Sequence, residues 1–156
     1  MPRWRRPLLR RLRAETTGSA SLEFLGVGLL LLVPIVYLVL TLAALQAGAL
    51  AVESAARQAA RSFVLAATPE EAAARAERAV ELTLADYGVD PSTAEVSVAC
   101  APDPAACLSR RALVTVTVGI RVPVPLAPPV LDVEAPLSVG MVGVSTQQVS
   151  RFWGGG

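Results

Sequence analysis

The chain has 156 residues, 53% of them hydrophobic, and a formal net charge of +1, so it lacks the basic excess that nucleic-acid binding demands. It has no histidine and two cysteines, which excludes Ser-His-Asp and Cys-His catalysis, histidine-containing zinc sites and a four-cysteine metal site. No cofactor is expected.

The chain opens on a basic leader, MPRWRRPLLRRLRAETT, with Arg3, Arg5, Arg6, Arg10, Arg11 and Arg13 opposed only by Glu15. An apolar run follows. Residues 24 to 45 hold no charge, and 15 of those 22 are Phe, Leu, Ile or Val. As a helix this run is about 33 Å long, against about 30 Å of bilayer hydrocarbon. Those side chains favour insertion by about 5 to 9 kcal/mol. The arginines before the run place the N-terminus in the cytoplasm and the C-terminal part outside. Gly26 and Gly28 allow close helix approach, and Pro34 predicts a kink. One acid, Glu23, stands at the head of the run, where a carboxylate is costly and needs a partner unless it snorkels to the interface.

The helical pattern continues from Gln46 to Ala67. Val52, Ala56, Ala59 and Phe63 fall on one face, and Glu53, Arg57 and Arg61 on another, which reads as a solvated charge stripe. Thr68-Pro69-Glu70-Glu71 restarts a helix: Thr68 suits the N-cap, Pro69 the first turn, and Glu71 completes a capping box. This second helix is expected to run to about Tyr87, with Ala73, Ala76, Val80, Leu84 and Tyr87 buried and Gly88 as its left-handed cap.

After Gly88 the period changes to alternation. Ala94, Val96 and Val98 point one way in a first strand. Residues 112–122 give the clearest strand, with Ala112, Val114, Val116, Val118, Ile120 and Val122 on one face and Thr115, Thr117 and Arg121 on the other. The intervening loop carries Cys100 and Cys107, expected to be disulfide-bonded in an exported domain. Pro123, Pro125, Pro128 and Pro129 form a stiff connector, and residues 134–144 a third strand weakened by Gly140 and Gly143. Phe152 and Trp153 lie in a loose tail and are candidates for contact with the domain or a partner.

Three readings of the N-terminus stay open. A cleavable secretory signal finds an A-x-A site at Ala47-Gly48-Ala49, although the apolar run is long for one. A plain signal anchor needs only the run itself. The third follows from Gly18-Ser19-Ala20-Ser21-Leu22-Glu23-Phe24, a glycine followed at its fifth position by glutamate, directly before a span. This motif resembles the prepilin cleavage motif of type IV pilin-like proteins. The longer chain, and the AVESAARQAARSF stretch after the span, resemble the TadE-like pseudopilins of tight-adherence (Flp) pilus systems.

The resemblance implies a cut between Gly18 and Ser19 by a membrane prepilin peptidase. Ser19 would then carry a free amine, charged near neutral pH, one turn from Glu23. A neighbouring subunit's amine would serve Glu23 equally and set the register between helices. Flp pilins usually follow the Glu with Tyr, where this chain has Phe24, and they are much shorter. Both departures point to a minor component.

The expected fold is α+β: a long N-terminal transmembrane helix continuing into a second helix packed on a small antiparallel sheet, pilin-like in outline. The boundaries are a basic cytoplasmic leader over 1–18, the transmembrane helix and its extension over 19–67, an extracytoplasmic domain over 68–149 and a flexible tail over 150–156. The expected function is structural, that of a minor pilin or pseudopilin. Its partners would be a prepilin peptidase, other pilin-like subunits, pilus assembly membrane proteins and membrane lipid. The alternatives are a generic single-pass anchored extracytoplasmic binding protein and an enzyme using acids such as Asp103 and Asp132. The enzyme reading is disfavoured because no paired carboxylates, and no base near a nucleophile, occur at a convincing spacing.

Overall fold

The computed structural model describes residues 19–123 and 138–154. The chain divides into two units, Met1–Leu40 and Thr41–Gly156. The described elements are helices α1 (Ser19–Val64) and α2 (Pro69–Asp86), a short 3-10 turn (Pro91–Thr93), and strands β1 (Glu95–Ala101), β2 (Leu113–Pro123) and β3 (Ser138–Gln148). This is an α+β arrangement with one three-stranded sheet.

Residues of α1 up to Leu40 belong to the first unit. An 18-residue window of this helix reaches a mean hydropathy of 2.6, long and apolar enough to cross a membrane. Its large side chains are exposed around the whole circumference, including Leu25, Leu30, Ile35 and Leu38. A helix that is apolar all round belongs in an apolar surrounding. Pro34 lies inside α1 and does not end it.

The second unit begins at Thr41. Along α1, Ala51, Val52, Ala55, Ala56, Ala59, Ala60 and Phe63 form a buried stripe at adjacent and fourth positions. Most of these are alanine, so the helix backbone lies close to the sheet. The approach is tightest at two glycines. A Cβ on Gly48 would meet Val122 and the Met141 sulfur, and a Cβ on Gly143 would collide with the Val52 carbonyl and lie 2.7 Å from the Glu53 nitrogen. Gly143 therefore seats the helix. Sequence reasoning cast it only as a weak point in a strand.

α2 forms as its ends dictate. The Glu71 backbone N–H donates to the Thr68 hydroxyl (3.2 Å), and the Ala67 N–H donates to the Glu71 carboxylate (2.8 Å). The Ala67 N–H, with Arg75 beside it, holds the Glu71 carboxyl below its ordinary range. Its contribution to stability is thus complete near neutral pH. It is lost as pH falls through the ordinary glutamate range towards the lower native one. A Thr68→Ala chain, lacking the cap, is expected to lose about 1 kcal/mol of unfolding free energy, read as a lower midpoint in denaturant titrations. At the other end Gly88 takes φ +71. Its N–H donates to the Ala85 carbonyl (2.9 Å) and the Val89 N–H to the Leu84 carbonyl (3.0 Å), a Schellman stop.

The buried face of α2 is Ala72, Ala76, Val80 and Leu84. Ala73, expected inside, is exposed; it stands about 100° round the helix from Ala72. Tyr87 is also 41% exposed, with its hydroxyl 3.4 Å from the Ser54 hydroxyl.

The sheet is antiparallel with order β1-β2-β3. β2 is central, and Val114, Val116, Val118, Ile120 and Val122 are buried as the alternation predicts. Each such burial is worth about 1.5 to 3 kcal/mol, so this strand carries much of the core. Val96 and Val98 pair with Val118 and Val116 on the same face, yet remain 44% and 41% exposed because β1 is an edge. β3 runs to Gln148, four residues past the expected end. The part of that expectation over 134–137, and the prolines 125, 128 and 129, lie outside the described residues. The expected loose tail from residue 150 is tied at one residue: Trp153 Nε1–H donates to the Ala66 carbonyl (3.2 Å), and Arg110 Nε–H to the Trp153 carbonyl (3.0 Å). Phe152 beside it is 78% exposed.

Candidate functional site

Gly18 lies outside the described residues, and α1 is described from Ser19 onwards. Glu23 is the fifth residue of this helix, with Phe24 next to it, and both side chains are exposed. Helical spacing puts Ser19, Glu23 and Gly26 on one face. A Cβ at Gly26 would meet nothing within 4 Å, so the surface beside the carboxylate is low and open. This face presents one acid amid apolar side chains and admits the close approach of another helix.

Cys100 and Cys107 are bonded, with a Cα–Cα distance of 5.1 Å. The bond links the end of β1 to the turn that leads towards β2. A loop closed across a separation of seven residues contributes about 2 kcal/mol in the chain-entropy account. Replacing both cysteines with serine is expected to lower stability by that amount, read as a reduced urea midpoint, while the β1–β2 register persists in amide-exchange protection.

Two loop acids accept backbone N–H groups in their own turns. Asp103 accepts the Ala105 N–H (2.9 Å), and Asp90 accepts the Ser92 N–H (2.9 Å), which holds its carboxyl below the usual range. Asp132 lies outside the described residues. Among the described residues no three His, Cys, Asp or Glu side chains gather as a metal site.

Shallow grooves among the described residues of the second unit were not anticipated from sequence. One, of about 440 Å³, is lined by Ala44, Gly48, Tyr87, Val89, Arg121 and Val122. A second, of about 350 Å³, opens at Glu95, Gly119, Arg121, Gly140, Met141 and Val142. The third, of about 320 Å³, is lined by Ser54, Arg57, Gln58, Arg61 and Gln147. The sequence held a signal for the third, because its four α1 residues fall at i, i+3, i+4 and i+7.

Comparison of the chain with protein-family models, with curated proteins and with solved structures finds no match. The features on which function can be argued are therefore its own: an apolar helix with one leading carboxylate, a disulfide-braced turn and a small sheet backed by two helices.

Proposed function

We propose that this chain is a structural minor pilin or pseudopilin of a TadE-like pilus or secretion assembly, anchored by one membrane span. It acts as a substrate of a prepilin peptidase, which cuts between Gly18 and Ser19, and not as an enzyme. The observation that carries the reading is one exposed carboxylate, Glu23, five residues after Gly18 and at the head of a helix long and apolar enough to cross a membrane. A cut after Gly18 would leave Ser19 as the first residue, four positions before Glu23. Removal of the leader takes six arginines with it and leaves an amine to meet a carboxylate.

Two further features support an N-terminus in the cytoplasm and the rest outside. The arginines precede the apolar run. The Cys100–Cys107 bond belongs to an oxidising compartment.

Mass spectrometry of the protein purified from its native membrane tests the cut. A mature chain starting at Ser19 is expected, and a Gly18→Leu chain is expected to keep its full mass. An intact Met1 in the native protein makes it a plain anchored protein, and a start at Leu50 makes the apolar run a secretory signal. Either result overturns the proposal.

A further inference from the structure

β3 is an edge strand of the sheet formed by the described residues. Its eleven residues, SVGMVGVSTQQ, carry no charge and no proline. Natural sheets guard long edges with lysine, proline or a bulge. The other edge, β1, is only seven residues long and opens with Glu95. β3 is thus the less guarded of the two.

The groove of Ser54, Arg57, Gln58, Arg61 and Gln147 lies beside it. Gln147 pairs with Val114 and so sits on the helix-covered side of the sheet. Two guanidinium groups, two amides and a hydroxyl line the groove, and no carboxylate does. Arg57 has an exposed ion pair with Glu53 at 3.5 Å, the kind of pair worth little. Arg61 has no ion pair among the described residues.

β3 and α1 advance together: Met141 lies at Gly48, Gly143 at Val52, and Trp153 further on at Ala66. Arg57 and Arg61 are four residues apart on α1, about 6 Å along its axis. Alternate residues of an extended strand are about 6.8 Å apart and point to the same side. A strand laid along β3 therefore offers successive same-side chains at nearly the spacing of the two arginines.

We propose that the β3 edge and this groove form a docking site for an extended acidic segment of a partner protein. The segment adds as a fourth strand, with alternate carboxylates against Arg57 and Arg61. Its intervening side chains extend the opposite face beside Val142 and Val144, which are 66% and 58% exposed, so they are apolar. Charge argues against a second copy as the occupant. β3 has no acid, and β1 has only Glu95, which pairs with Gly119 on the face away from the helices. The site stands independently of the pilus reading.

The test uses the full chain in detergent micelles and a fluorescein-labelled synthetic peptide of about ten residues alternating glutamate and valine. Saturable binding by anisotropy is expected. It should weaken about tenfold or more in the Arg57→Glu, Arg61→Glu double variant, and in part in the milder Arg57→Gln, Arg61→Gln variant. N-methylation of alternate peptide amides should abolish it. Equal binding of a lysine–valine peptide, indifference to both arginine variants, or undiminished binding of the N-methylated peptide each overturns the proposal. So does a dimer of the chain that occupies β3 and that the peptide does not displace.

Discussion

Gly143→Val is expected to lower the unfolding free energy by about 3 kcal/mol or more, although valine is the better strand former by about 1 kcal/mol. The sign is set by what the new side chain meets. Its Cβ would collide with the Val52 carbonyl and crowd the Glu53 nitrogen, and both are backbone atoms of α1. A flexible side chain would yield there; a helix backbone does not. Nor does α1 have room to turn, since Ala51, Val52, Ala55 and Ala56 are all buried around the contact. Overpacking costs about 1 to 3 kcal/mol where neighbours relax, so this site belongs at or above the upper end. Urea unfolding of the detergent-solubilised chain measures it. Gly140→Val is the internal control, because a Cβ there meets nothing within 4 Å. That chain is expected to be as stable as the parent or slightly more so. Equal midpoints for the two variants would refute the close approach of helix and strand.

The second large effect concerns function. Glu23→Ala is expected to leave membrane insertion and cutting intact while abolishing copurification with pilin-like partners. The argument is one of compensation. A carboxylate at the head of a span costs less than one at the bilayer centre, which costs about 3 kcal/mol, but its insertion is still unfavourable. Removing it therefore makes the helix easier to insert, and a plain anchor would lose nothing. A subunit that pairs this carboxylate with a neighbour's N-terminal amine would lose the contact that fixes its register. Crosslinking and pull-down from native membranes, with the parent chain alongside, read the difference. Unchanged recovery of partners with the alanine chain would dismiss the assembly role of Glu23.

Much of this architecture is legible because local chemistry and packing agree. The alternation of residues 112–122 names every buried side chain of β2. Thr68, Glu71 and Gly88 mark both ends of α2, since capping depends on nearby groups alone. Other features depend on distant neighbours. β3 continues through Thr146-Gln147-Gln148, which has no apolar signal, because β2 offers a partner as far as Leu113 opposite Gln148. Ala72 and Ala73 have the same side chain, so only the position of the sheet decides which is buried. Gly143 reads as a weakness until the helix above it is known. At the candidate site, Glu23 stands out in the sequence as the one acid that heads an uncharged run. The arginine groove was legible only in part: its four helix residues share a face, but Gln147 reaches it only through the fold.

Trp153 gives this protein a built-in optical probe. The chain has two tryptophans, and the other, Trp4, lies in the leader that a cut after Gly18 would remove. The mature protein would then hold one indole, half-buried and bonded to the Ala66 carbonyl. Its emission maximum would shift to the red when the chain end comes away from the turn that follows α1. Steady-state fluorescence would follow that release without any added label, and loss of the Trp4 signal would count leader removal in the same cuvette.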